Sequence, residues 1–72
     1  MNNDIKMKLR ILLHHWIEHN REHSQEFRDW AEKAQGTGET EASKEMLRAA
    51  KEMEKASESL SQALKSLEKK ER

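Results

Sequence analysis

Four histidines, the only ones in the chain, lie within the segment HHWIEHNREH. Three of them, His15, His19 and His23, follow one another at intervals of four residues, which puts their side chains on one face of an α-helix. Glu26, three residues after His23, adds a carboxylate near that face. Neutral imidazoles and carboxylates at this spacing bind transition metals in helical proteins. The segment therefore predicts a metal site made of these four side chains, whereas His14 is expected to face solvent.

The types of ligand available limit which metal ions the site could bind. The chain has no cysteine, so nitrogen and oxygen ligands must hold the ion. Such ligands favour divalent zinc, nickel, cobalt or iron. Copper is less favoured, because the only soft ligand expected near His23 is Met53. A chain with this site would be a small carrier or sensor of a transition metal.

A structural interpretation competes with the metal site. Asn20 and His23 both fall on the apolar face of the predicted first helix, where polar side chains commonly fix the register and the number of associated helices. In that case the chain is a structural or protein-interaction hairpin. Both interpretations remain open at the level of sequence.

Catalysis has little support. The segment HWIEH, from His15 to His19, fits the H-x-x-E-H pattern of zinc peptidases. That pattern needs a third ligand and a cleft for the substrate, and Glu18 is expected to point to solvent. The sequence also lacks a glycine-rich phosphate loop and a recognisable nucleophile with its base. We therefore expect no enzyme activity and no catalytic residues.

Composition excludes other classes of partner. The 72 residues carry 14 basic and 14 acidic side chains, so no large basic face for nucleic acid is expected. No long apolar run predicts a signal peptide or a membrane span, and the cytoplasm is the expected location. A chain of this length forms one domain at most, here residues 1–72, with marginal stability on its own.

Two helices are expected to carry these side chains. There is no proline, and the only glycines, Gly36 and Gly38, divide the chain into similar halves. Glycine just beyond a periodic segment typically ends a helix, and Thr37 or Thr40 is suited to cap the next one. The sequence predicts a helix over about 4–35, a turn over 36–40 and a helix over about 41–69.

Both halves repeat a 4-3 spacing that is typical of helices packed along a seam. An antiparallel hairpin would bring the two rows together, with large residues of the first facing alanines of the second. The predicted seam residues are Leu9, Leu13, Trp16, Asn20, His23, Phe27, Trp30 and Ala34 in the first helix, and Ala42, Met46, Ala49, Met53, Ala56, Leu60, Ala63 and Leu67 in the second. The fold class is therefore predicted to be all-α, an antiparallel helical hairpin.

Further apolar residues broaden the face beyond what one partner helix can cover. They lie beside the predicted seam and include Ile11, Leu12, Ile17, Leu47, Ala50 and Leu64. A homodimer that forms a four-helix bundle would bury them. A different protein partner would also do so, and the sequence does not identify one.

The segment LRILLHHWIEHNREHSQEFRDWAEKA resembles a family of short prokaryotic helical proteins of unknown function, which share an H-W-I-E-H-N-x-x-H motif followed by an acidic, alanine-rich helix. The matching positions are His15, Trp16, Ile17, Glu18, His19, Asn20 and His23. The resemblance covers most of the chain. It implies a link to transition metals and a role for His15 in the shared motif.

Overall fold

The computed structural model describes residues 3–70, with side chains for residues 4–68. Helix α1 spans Asn3–Gly36 and helix α2 spans Thr40–Lys70. The two helices pack against each other as an antiparallel hairpin, which confirms the predicted all-α fold. Each helix extends one residue beyond its predicted range at either end.

The turn between the helices is a Schellman motif. Gly38 adopts a left-handed backbone conformation with φ of 90°, which glycine reaches without the strain of a Cβ atom. The amide of Glu39 donates to the carbonyl of Ala34 at 2.9 Å, and the amide of Gly38 donates to Gln35 at 3.1 Å. The carbonyl of Glu39 then accepts the first bond of α2, from Ser43 at 3.0 Å. Glu39 therefore occupies the N-cap position that the sequence assigned to a threonine.

Small side chains form the seam between the helices. The fully or almost fully buried residues are Leu13, Ser24 and Ala31 in α1 and Ser43 and Ala50 in α2. Four of these five residues are alanine or serine, so the two backbones can approach closely. Leu13 belongs to the predicted seam, whereas each of the four small residues directly follows a predicted seam residue, at intervals of seven within each helix.

The two buried serines, Ser24 and Ser43, fit this seam because each hydroxyl finds a partner inside it. The hydroxyl of Ser43 donates to the backbone carbonyl of Ala31 at 2.8 Å. The hydroxyl of Ser24 donates to the Glu54 carboxylate at 2.9 Å. Each bond crosses from one helix to the other, so a residue that counts as polar in the sequence contributes to the packed interior without leaving an unpaired group.

The predicted seam is therefore wrong at positions 16, 30, 42, 56 and 63, which are exposed, whereas Leu13 is buried as predicted and the remaining predicted seam residues are half-buried. Trp16 and Trp30 were expected in the core but are 40% and 56% exposed, and Lys33 Nζ lies 4.2 Å from the centroid of Trp30. The alanines at 42, 56 and 63 are exposed. Conversely Ala50, which was expected beside the seam, is completely buried. The physical reason is volume: a tryptophan cannot occupy the line of closest approach, whereas alanine and serine can.

One ionic cluster joins the helices on the side of the seam. The guanidinium of Arg28 donates to Glu54 Oε2 through Nη2 at 2.7 Å and through Nε at 3.1 Å. The Arg28 hydrogen bonds, reinforced by the Ser24 hydroxyl, lower the pKa of Glu54 below its ordinary value. This cluster links Ser24 and Arg28 of α1 to Glu54 of α2 at a single carboxylate oxygen.

The hairpin is long and thin, with extents of 55 × 15 × 12 Å. Its radius of gyration is 16.4 Å, compared with about 11 Å for a compact domain of this length. Such a shape encloses little interior. Large apolar side chains therefore remain exposed, among them Ile5, Met7, Ile11, Leu12, Trp16, Trp30 and Leu47.

The seam can be tested by enlarging one small residue. Ala50→Leu adds volume at a position with 0% exposure, and overpacking should reduce the free energy of unfolding by about 1–3 kcal/mol. The matched variant Ala56→Leu changes an exposed alanine of the predicted seam and should cost about 0.5 kcal/mol or less. Urea unfolding at low protein concentration, where association does not contribute, measures both. A larger loss in Ala56→Leu would restore the predicted seam.

The ionic cluster predicts a pH dependence. Because the pKa of Glu54 is lowered in the folded state, its contribution to stability is present above the unfolded-state value of about 4.3. That contribution is lost as the pH falls through the folded-state pKa. Thermal unfolding between pH 7 and pH 2 should therefore show a steeper acid decline in the native chain than in Glu54→Gln. Glu58→Gln, at an exposed position one turn further along α2, is the control and should retain the native profile.

Candidate functional site

Four aromatic rings follow one another along α1 at one-turn intervals. The imidazoles of His15 and His19 are nearly parallel, with centroids 5.7 Å apart. Those of His19 and His23 meet edge to face at 4.3 Å, and His23 is followed by Phe27 at 5.9 Å. This ladder results from helical geometry alone, since residues four apart stack on one face of a helix.

His19 and His23 form the chemically distinctive step of the ladder. Their Nε2 atoms are 2.9 Å apart, the distance of a hydrogen bond. On the other side of the His23 ring, Nδ1 lies 3.4 Å from Glu26 Oε1. The carboxylate favours a proton on that Nδ1, so the lone pair of neutral His23 is on Nε2. His19 Nε2–H then donates to it.

The distance between the two Nε2 atoms fits a shared metal ion. With metal–nitrogen bonds of 2.0–2.1 Å, a right-angle arrangement separates the two nitrogens by about 2.9 Å and a tetrahedral one by about 3.4 Å. The observed 2.9 Å matches the right-angle separation, whereas tetrahedral coordination needs the nitrogens about 0.5 Å further apart. In either case the rings must turn from their hydrogen-bonded orientation so that both Nε2 lone pairs point at the ion. Glu26 occupies the place of a carboxylate that orients a metal-binding imidazole through its second nitrogen.

One chain supplies only part of a coordination shell. Within residues 3–70, no group of three or more His, Cys, Asp or Glu side chains is arranged to hold a metal ion. His15 stacks on His19, and Glu26 faces Nδ1 of His23, the nitrogen remote from the His19 contact. The four predicted ligands are thus adjacent, but only two of them converge.

The surroundings of the pair are open and acidic. A shallow groove on the surface of α1 is lined by His19, Glu22, His23, Gln25, Glu26 and Asp29. Three carboxylates around two imidazoles give the groove a negative potential, which attracts cations. Asp29 was missed by the sequence analysis, although its position two turns after Glu22 on the same face could have revealed it.

Other residues of the histidine segment take no part in the contact between His19 and His23. His14 is exposed, as expected, and Asn20 is half-buried at the edge of the seam. Glu18, the acid of the H-x-x-E-H pattern, is exposed and pairs with Arg21 at 3.7 Å. His23 was predicted to lie in the hairpin seam, but its side chain is 38% exposed and its hydrogen bond is to His19.

The chain belongs to the family described as a domain of unknown function (DUF8180), whose model matches residues 9–67. This agrees with the resemblance to an uncharacterised family. The matched range contains the whole ring ladder, the turn and most of α2. No curated protein and no solved structure gives a significant match to the chain. Within the described residues, neither helix has a stretch long and apolar enough to cross a membrane.

The tautomers of the pair are a direct test of this geometry. At pH 8 without metal, His23 should carry its proton on Nδ1, facing Glu26, and His19 should carry its proton on Nε2. Two-dimensional ¹⁵N–¹H spectra of the imidazoles distinguish the tautomers. Glu26→Ala should remove the preference at His23 and leave the exposed His14 unchanged. An Nε2 proton on native His23 would contradict the assignment.

Proposed function

We propose that the chain is a cytoplasmic metal-binding protein, a carrier or sensor, that holds a divalent transition ion on Nε2 of His19 and of His23. Zinc, nickel, cobalt and iron suit neutral imidazoles, and copper is less favoured. The observation that carries the proposal is the 2.9 Å distance between the two Nε2 atoms. The H-W-I-E-H-N-x-x-H segment, which contains both histidines, would then be the functional signature of the chain.

Glu26 has a positioning role in this proposal. Its carboxylate lies beside Nδ1 of His23 and favours the tautomer whose Nε2 lone pair can bind a metal. His19 must move its proton from Nε2 to Nδ1 when the ion binds, because Nε2 becomes a ligand. The two histidines therefore differ: one is prepared for the metal, and the other changes tautomer on binding.

Exposure of the site suits exchange of the ion rather than permanent storage. The groove is open on one helix face, and its carboxylates would raise the local concentration of cations. His15 stacks on His19 and limits the rotation of that ring. A carrier or sensor needs such accessibility, since the ion must enter and leave on the timescale of transfer.

A second candidate is a protein-interaction hairpin without metal. It is favoured by the exposure of Trp16 and Trp30, two large apolar side chains on one face of α1. In that function the histidines would serve as the polar part of an interface, and His23→Leu would stabilise the associated state by removing a polar group from it.

Metal binding separates the two candidates. Zinc or nickel at about 100 times the dissociation constant should stabilise the fold by about 2.7 kcal/mol at pH 7.5. At pH 5.5 the gain should be much smaller, because protonated imidazoles cannot bind the ion. Thermal unfolding measures the gain. Imidazole ¹⁵N spectra should show His19 changing to the Nδ1–H tautomer.

Variants of the histidine segment complete the test. His19→Ala and His23→Ala should each abolish the stabilisation by metal, whereas His14→Ala, on the exposed side of the helix, should retain it. Glu26→Gln should weaken the metal affinity by about 10–100-fold, as expected for a residue that orients a ligand. The absence of any metal effect at pH 7.5, together with stabilisation by His23→Leu, would leave the interaction hairpin as the function.

A further inference from the structure

Helix α1 carries a second apolar row beside the hairpin seam. We call this row the outer stripe: Ile5, Leu12, Trp16, His19, His23 and Trp30. Leu12, Trp16, His23 and Trp30 each directly precede a buried or half-buried residue, so they lie about 100° round the helix from the seam. The spacing within the stripe is again mainly 3 and 4, the pattern of a helix that packs on a further helix.

The face of α2 that lies beside the outer stripe of α1 is also apolar. In an antiparallel pair, residues that directly precede the seam lie on one side of both helices. On α2 these are the alanines at 42, 49, 56 and 63, of which three are exposed. The hairpin therefore has one broad apolar face, with large side chains on α1 and small ones on α2.

Four residues of the outer stripe are symmetric about the level of Arg21, whereas the position that mirrors Trp16 is Glu26 and the one that mirrors Ile5 is Thr37. His19 lies two residues before that level and His23 two after it; Leu12 lies nine before and Trp30 nine after. A two-fold axis at this level would put Leu12 against Trp30 of a second copy and His19 against the second copy's His23. Arg21 itself does not obstruct the axis, because it lies about 200° round the helix from either histidine.

The distribution of charge along α1 also favours an antiparallel orientation of the second copy. Residues 3–17 contain three basic side chains and one acidic, whereas residues 18–36 contain five acidic and three basic. One of the latter three, Arg28, is already paired with Glu54 of α2. An antiparallel second copy places the basic half of each α1 on the acidic half of the other, while a parallel copy opposes like charges.

We propose that two copies of the chain associate antiparallel through the outer stripe of α1, about a two-fold axis at Arg21, and share one metal site made of both His19/His23 pairs. The inference rests on the proposed metal-binding function and names the partner that completes it. Two imidazoles from each chain supply the four ligands that zinc prefers, whereas one chain supplies two. The association also covers Trp16 and Trp30.

Stoichiometry tests the shared site. Titration of the full chain with zinc chloride should give one zinc ion per two chains, and sedimentation equilibrium with zinc should give twice the 8.5 kDa chain mass. One zinc per chain on a monomer would overturn the shared site and leave the proposed function standing. A dimer that binds no zinc would overturn both.

A charge placed on the outer stripe tests the surface. Trp16→Glu should raise the dimer dissociation constant about tenfold or more, because it replaces a large apolar side chain of the interface with a carboxylate. Leu47→Glu is the matched control: Leu47 is 38% exposed, but it follows a seam residue and lies on the opposite side of the hairpin. Circular dichroism verifies that both variants keep their helices. Equal weakening by both variants would exclude the outer stripe as the interface.

Cysteine pairing tests the orientation, since the native chain has no cysteine. When Leu12→Cys and Trp30→Cys chains are mixed with zinc and oxidised, the antiparallel arrangement should yield the mixed disulfide. Two copies of Leu12 would lie about 27 Å apart in that arrangement, too far for a bond. Disulfides between identical variants only would show a parallel dimer and overturn the proposal.

Discussion

Close approach of two long helices is the constraint on which the rest of this structure depends. The line between α1 and α2 is occupied mainly by small side chains, Ser24, Ala31, Ser43 and Ala50, with Leu13 as the one large residue buried beside them. The serines bury their hydroxyls by bonding across the line, to a backbone carbonyl and to Glu54. Larger side chains are displaced to the flanks, so the same constraint that closes the hairpin leaves its tryptophans exposed.

The histidines owe their accessibility to this displacement. If the seam followed the most hydrophobic row, His23 would be enclosed between the helices and could not reach an ion from solvent. Because Ser24 rather than His23 is buried between the helices, His19 and His23 present their Nε2 atoms at the surface, in an acidic groove. Packing and the proposed metal site therefore use different residues: small side chains lie between the helices, and the His19–His23 contact lies at the surface.

Two imidazoles on one helix make a weak site, and an apolar face on a thin hairpin makes an incomplete interface. Both features lie on the same side of α1, with the histidines between Leu12 and Trp16 on one side and Trp30 on the other. An antiparallel second copy would complete both at once. The range that the DUF8180 family model matches, residues 9–67, includes all of these residues.

The sequence by itself determined the two helices, the turn and the neighbourhood of the candidate site. These depend on local physics: glycine at Gly38 permits the left-handed turn, and four-residue spacing stacks His15, His19 and His23. Only the tertiary structure decided which row of each helix packs inside and which stays exposed. Hydropathy selected Trp16 and Ala56, whereas the fold buries Ser24 and Ala50, because side-chain volume and a hydrogen-bond partner across the seam decide burial at close range. The partner of Ser24 is Glu54, thirty residues away, and local sequence patterns do not report on such a contact.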